Sequence, residues 1–72
     1  MNSYKIEWTF TCYDGSRLHQ NEIINALNVK MAITILQSNY IFCENIRIED
    51  IYVNNGFGWD YVDREEWQDY EA

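Results

Sequence analysis

The side chains that could do chemistry are few in this chain, and they are scattered. The single histidine, His19, lies in a polar stretch, with no cysteine or second histidine at a spacing typical of a metal site. Cys12 and Cys43 are too few for a structural zinc site, and in a reducing compartment they are expected to be buried thiols rather than a disulfide. We therefore predict no catalytic residue, no metal site and no cofactor, and a protein that is not an enzyme.

Two further site patterns are incomplete. A calcium loop of the EF-hand type needs a glycine after several oxygen ligands, but Gly58 precedes Asp60, Asp63 and Glu65 instead of following them. The stretch Gly56–Gly58 is too short for a phosphate-binding loop and has no basic residue. Neither pattern predicts a dedicated ligand site.

Charge is the most distinctive property of the chain. Twelve acidic residues stand against five basic ones, which gives a net charge of −7. Residues 59–72, here called the acidic segment, hold six acidic residues and one arginine, and aromatic residues alternate with them. Such a protein is not expected to bind nucleic acid or an anionic membrane, because phosphates repel carboxylates. Carboxylates and ring faces together suit a partner rich in Lys and Arg.

These features predict a protein-interaction function in which the acidic segment contacts a basic protein surface. The predicted partner-binding residues are Trp59, Asp60, Tyr61, Asp63, Glu65, Glu66, Trp67, Asp69, Tyr70 and Glu71. In its sharper form, the hypothesis is an inhibitor that offers carboxylates in place of phosphates to a nucleic-acid-binding protein. Anti-restriction and anti-CRISPR proteins of phages and mobile elements have a similar composition, which is an analogy and not a sequence match.

Three other interpretations remain open at this stage. The acidity could serve only solubility, with Trp67 and Tyr70 packed on the core behind a solvated acidic face. The chain could be a small structural or assembly subunit that forms a homodimer through an apolar helix. It could also be a small regulator that binds a metal or another ligand.

The N-terminal half predicts one strand and one helix. Residues from Tyr4 to Tyr13 alternate between apolar and polar side chains, which is typical of a half-buried strand, and Asp14-Gly15-Ser16 favours a turn after it. Apolar residues at helical spacing predict a helix from about Arg17 to Ser38, with Asn21 as a candidate N-cap. The alternative ends this helix near Asn28 and makes residues 29–36 a strand.

The C-terminal half predicts a hairpin followed by a short helix. A strand is expected at residues 45–53, and Asp50-Ile51 breaks its alternation, which indicates a bulge or a register change. Asn55-Gly56 is a strong hairpin signal, and Phe57, Trp59 and Tyr61 would then face inward from the returning strand. Asp63 and Glu66 have the spacing of a capping box for a short C-terminal helix.

Together these elements predict one α+β domain over residues 1–72. Its sheet would have three strands, antiparallel or mixed, in the order β-α-β-β along the chain, with one main helix packed on one face. The expected core residues are Ile6, Trp8, Phe10, Leu27, Met31, Ile46, Ile48 and Trp59. No signal peptide and no apolar run of about 20 residues is visible, so a cytoplasmic location is expected.

Overall fold

The alternating N-terminal stretch forms β1 (Asn2–Thr11), which pairs with a strand on each side in a four-stranded antiparallel sheet. The computed structural model describes residues 1–70. Its other elements are β2 (Arg17–Ala26), α1 (Val29–Asn39), β3 (Glu44–Asn54), β4 (Trp59–Tyr61) and two short 3₁₀ turns at Arg64–Glu66 and Gln68–Tyr70. The strand order is β2-β1-β3-β4. The predicted α+β class with one main helix is confirmed, but the sheet has four strands instead of three.

The additional strand is β2, in the region that the sequence assigns to the start of a helix. Asp14 accepts hydrogen bonds from the backbone N–H and the hydroxyl group of Ser16, and Gly15 has a positive φ of 91°. This tight turn folds the chain back along β1, and ten residue pairs follow, from Thr11 opposite Arg17 to Asn2 opposite Ala26. β2 is an edge strand with a mostly exposed surface, so no apolar alternation marks it.

The helix therefore begins later than predicted. Its N-cap is Asn28, whose side chain accepts a hydrogen bond from the backbone N–H of Met31, and not Asn21, which lies within β2. The alternative in which residues 29–36 form a strand is also wrong. Ala32, Ile33 and Leu36 are the buried residues of α1, so an 11-residue helix needs only one packed face.

The C-terminal hairpin agrees with its sequence signals. The register between β1 and β3 shifts after the pair Glu7–Asp50, because Trp8 lies opposite Ile48 and Glu49 is the extra residue, which confirms a bulge beside Asp50. Gly56 has a φ of 94°, and Asn55 donates its backbone N–H to the carbonyl of Gly58 in the turn that leads to β4. The capping box is wrong: Asp63 makes no side-chain capping hydrogen bond, and a 3₁₀ turn follows it.

The core lies between the helix and one face of the sheet. Its buried apolar residues are Tyr4, Ile6, Trp8, Ile24, Ala26, Ala32, Ile33, Leu36, Ile48, Ile51, Val62 and Trp67, with Phe10 and Ile46 partly buried against them. Leu27 and Met31 were expected here but are 65% and 40% exposed, because Leu27 lies in the link between β2 and α1 and Met31 on the outer side of the helix.

The predicted inward face of the returning strand is also wrong. Phe57 lies in the turn and is fully exposed, and Tyr61 is half exposed. Trp59 pairs with Asn54 and Tyr61 with Tyr52, which puts these rings on the face of the sheet opposite the helix. Among residues 1–70, no helix is long and apolar enough to cross a membrane.

Candidate functional site

The acidic segment begins on the edge strand β4 and continues through the two 3₁₀ turns. Val62 fixes its path, because it donates its backbone N–H to the carbonyl of Ile51 over 2.8 Å and is itself buried. The acidic residues on either side are all exposed: Asp60, Asp63, Glu65, Glu66 and Asp69. Five of the six predicted acidic residues therefore lie on the surface of one ordered segment, and Glu71 lies outside the described residues.

The prediction that Trp67 is a partner-binding residue is wrong. Its side chain is 0% exposed and belongs to the core, and its indole Nε1 donates a hydrogen bond to the carbonyl of Val62. Arg64 lies over the ring with its guanidinium carbon 4.8 Å from the centroid, and it donates a hydrogen bond to the carbonyl of Glu49. Trp67 thus anchors the acidic segment to the core and cannot contact a partner.

The remaining aromatic residues of the segment lie at the surface, on two sides of the molecule. Trp59 and Tyr61 belong to the open face of the sheet, where the ammonium group of Lys5 lies 5.2 Å from the Trp59 ring centroid. Tyr70 is 39% exposed and lies beside the helix, with the ammonium group of Lys30 5.6 Å from its ring. Two separate aromatic patches therefore flank the carboxylates.

No carboxylate within residues 1–70 forms an ion pair with a Lys or Arg of the same range. Within residues 1–70 the only ion pair is His19 with Glu49, at 3.5 Å, and it involves no Lys or Arg. Lys5, Lys30 and Arg64 lie over aromatic rings instead.

Arg17 also makes no ion pair with a carboxylate among residues 1–70 and is held by hydrogen bonds instead. It donates hydrogen bonds to the hydroxyl groups of Thr9 and Thr11 and to the carbonyl of Asn45. Four of the five basic residues are thus held by contacts that leave the carboxylates free to attract a basic partner.

Tyr52, on the open face of the sheet, lies near two carboxylates. Burial raises the pKa of the Tyr52 hydroxyl above its usual value, and the nearby carboxylates of Glu7 and Asp50 raise this pKa further. The Tyr52 ring contacts the Tyr61 ring at 5.7 Å between centroids, and the Lys5 ammonium group lies 5.0 Å from the Tyr52 ring.

A cleft that the sequence did not predict lies at the opposite end of the molecule. It has a volume of about 500 Å³, and ten residues line it: Trp8, Phe10, Thr11, Cys12, Tyr13, Gln20, Tyr40, Phe42, Cys43 and Glu44. We call it the aromatic cleft. The one signal in the sequence was the apolar link 40–43, whose Ile41 and Phe42 remain about 80% exposed. Its local pattern does not predict a cleft, because its position over the end of β1 depends on the hairpin.

Two buried polar groups in and beside the aromatic cleft lack hydrogen-bond partners among the described residues. They are the indole Nε1 of Trp8, which is 1% exposed, and the Oε2 of Glu22. The Trp8 ring lies 4.7 Å from that of Tyr40, and the hydroxyl group of Tyr40 donates a hydrogen bond to the other oxygen of Glu22. This hydrogen bond to a carboxylate raises the pKa of the Tyr40 hydroxyl. Unpartnered buried donors are rare in folded proteins.

Metal ligands do not converge anywhere in the described chain. Among residues 1–70, no three side chains of His, Cys, Asp or Glu come together to hold a metal ion. His19, a candidate only as an isolated titratable group, is exposed beside Glu49 on the open face of the sheet.

No protein-family model, curated protein or solved structure matches this chain. The chemistry of its own surface is therefore the basis for a functional proposal.

Proposed function

We propose that this protein is a non-enzymatic interaction module that binds a basic protein surface through the carboxylates of its acidic segment. The observation that supports this most is that these carboxylates are exposed while no Lys or Arg of residues 1–70 pairs with them. Asp60 accepts a hydrogen bond from the side-chain amide of Asn55, but a carboxylate without an internal ion pair can form charge-assisted hydrogen bonds with Arg or Lys of another protein.

Rigid presentation of the charges also favours binding. The segment is held on the core by Val62 and Trp67, so its backbone does not have to be ordered when a partner arrives. Trp59, Tyr61 and Tyr70 are the aromatic residues of the segment that can contribute contact area, whereas Trp67 contributes only by holding the fold.

The sharper proposal concerns the type of partner. A surface that carries a net charge of −7 and exposed carboxylates fits a protein whose basic surface binds nucleic-acid phosphates. The protein would then act as an inhibitor by charge mimicry, in the manner of anti-restriction and anti-CRISPR proteins, and would not itself bind nucleic acid.

The experiment compares two variants with the same change in charge. In the first, Glu65→Gln, Glu66→Gln and Asp69→Asn neutralise the acidic segment. In the second, Glu7→Gln, Glu44→Gln and Asp50→Asn neutralise three carboxylates elsewhere. Immobilised wild-type protein first captures partners from the native cell. The association rate of each captured protein with the wild type and with both variants is then measured at several salt concentrations. Truncation is no substitute, because it removes Trp67 from the core.

The proposal predicts a partner that binds the first variant more weakly than the wild type, binds the second variant as well as the wild type, and is released by double-stranded DNA. Rim charges mainly set the association rate, so the first variant should associate more slowly and with a weaker salt dependence. A partner that binds all three proteins equally would show that the acidic segment serves only solubility. If DNA does not release the partner, the proposed charge mimicry is wrong, but the binding of a basic partner is not contradicted.

The aromatic cleft favours a second candidate function, the binding of a small planar ligand with a hydrogen-bond acceptor. Its volume lies within the range of about 300–1,000 Å³ that is usual for small-molecule sites. The buried Nε1–H of Trp8 could donate to the acceptor atom of such a ligand.

This candidate can be tested with benzamide, which is planar and neutral and carries a carbonyl acceptor. Titration should shift the indole N–H signal of Trp8 in the NMR spectrum. Phe42→Ser, which removes one wall of the cleft, should weaken the effect, whereas Phe57→Ser, at an exposed phenylalanine in the distant turn, should not. An unchanged Trp8 signal at millimolar benzamide would argue against the site.

A further inference from the structure

The two cysteines occupy facing positions at the end of the β1–β3 ladder. The last residue pair of this ladder is Thr11 with Glu44, and the strands run antiparallel. Neither cysteine belongs to a strand, but continuing the register of this last pair by one position places Cys12 opposite Cys43. Cys12 follows Trp8 and Phe10 at the two-residue period of the strand, and both cysteines line the aromatic cleft.

The backbone hydrogen bonds of the two cysteines show whether they would form a hydrogen-bonded or a non-hydrogen-bonded antiparallel pair. Cys12 donates its N–H to the carbonyl of Ser16, and its carbonyl accepts from Gly15, so both of its backbone groups are directed away from β3. Cys43 donates its N–H to Tyr40, within its own turn. The two cysteines therefore face each other without a ladder hydrogen bond between them. In such pairs the Cα atoms are about 4.5 Å apart and the side chains are closest.

This arrangement suits a disulfide. A disulfide needs Cα atoms roughly 4.4–6.8 Å apart and Cβ atoms that approach each other. Both thiols are half-buried in the wall of an open cleft, so a small reagent can reach them.

We propose that Cys12 and Cys43 form a reversible dithiol–disulfide pair that links the end of β1 to the start of β3. The oxidant is a low-molecular-weight disulfide. One cysteine thiolate attacks a sulfur of this disulfide, a mixed disulfide forms, and one small thiol leaves. The second cysteine thiolate then attacks the mixed disulfide and displaces the other small thiol. The two cysteines lose two electrons and two protons in total, and one small disulfide becomes two thiols.

The cross-link has a structural consequence. It fixes the link 40–43, which carries the exposed Ile41 and Phe42, to the hairpin end that carries Tyr13. Tyr13 and Phe42 line the aromatic cleft, so oxidation would hold its walls together. This inference does not depend on the proposed binding of a basic partner.

The experiment incubates the wild-type protein with glutathione disulfide and reduced glutathione at a series of ratios. Remaining thiols are then blocked with N-ethylmaleimide, and the intact mass is measured. The expected product is a monomer that has lost two hydrogens and carries neither glutathione nor the blocking group. Its melting temperature should exceed that of the reduced protein by on the order of 10 °C, because the cross-link closes a long loop in the unfolded chain.

Two variants test the register. Cys12→Ser/Cys43→Ser should be insensitive to glutathione disulfide. Phe42→Cys/Cys43→Ser moves the second thiol by one residue, away from the position that faces Cys12, and should give glutathione adducts instead of the internal link. If the wild type gives only glutathione adducts or linked dimers, or if the shifted variant cross-links as readily as the wild type, the proposal is wrong.

Discussion

The indole Nε1 of Trp67 donates a hydrogen bond to the carbonyl of Val62 over 3.3 Å, and both side chains are buried in the core. This contact closes the last part of the chain onto the sheet. An alternation of aromatic and acidic residues therefore serves two purposes, since the buried residues hold the segment while the acidic residues between them remain in solvent.

The first prediction concerns the different roles of two tryptophans in the acidic segment. Trp67→Ala should lower the free energy of unfolding by about 3–5 kcal/mol, because it leaves a large cavity in the core. Trp59→Ala should lower it by about 1 kcal/mol, since Trp59 is only partly buried and contacts Lys5 through its ring. Urea unfolding followed by circular dichroism measures both, and equal losses would contradict the anchoring role of Trp67.

The second prediction tests where the helix begins. Asn28→Ala should destabilise the protein by about 1 kcal/mol, because the backbone N–H of Met31 loses its capping acceptor. Asn28→Asp keeps an acceptor and should restore most of the stability. Asn21→Ala, on the exposed surface of β2, should change the free energy of unfolding by less than about 0.5 kcal/mol. A larger effect at position 21 than at position 28 would favour the earlier start of the helix.

The third prediction concerns the ionisation of Tyr40. Its hydrogen bond to Glu22 favours the protonated hydroxyl, so its pKa lies above the usual 10.0. The stabilisation is complete below the pKa of the unfolded chain, near 10.0, and is lost as the pH rises through the higher pKa of the folded protein. Ultraviolet titration of the tyrosines, compared between wild type and Tyr40→Phe, identifies the transition. Glu22→Gln should lower the pKa of this transition. An unchanged pKa in this variant would exclude the Glu22 carboxylate as the cause.

The fourth prediction concerns salt. Because no Lys or Arg in residues 1–70 pairs with a carboxylate, added NaCl screens mainly repulsion between like charges. The urea midpoint of the wild type should therefore rise with the salt concentration. Glu65→Gln/Glu66→Gln/Asp69→Asn should show a smaller rise. A midpoint that falls with salt would mean that attractive pairs dominate after all.

Several parts of the fold could be predicted from the sequence because the signal and its physical cause are both local. The alternation from Tyr4 to Cys12 marks β1, since every second side chain meets the helix and the core. Asn55-Gly56 marks the turn, since Gly56 must adopt a positive φ. The exposure of the five described acidic residues also followed from their charge alone.

Other parts depended on contacts between residues distant in the sequence. Residues 17–26 have helical spacing in Ile23, Ile24 and Leu27, but pairing with β1 forces them into a strand in which Ile24 is buried while Ile23 faces solvent. Likewise, nothing in the local pattern distinguishes Trp67 from Trp59. The sequence alone determined the α+β class, the central strand and the acidic surface, because these depend on composition and short periods. Tertiary structure alone decided the second strand, the burial of Trp67 and the pairing of Thr11 with Glu44 beside the two cysteines, because each depends on a partner that the chain reaches only after folding.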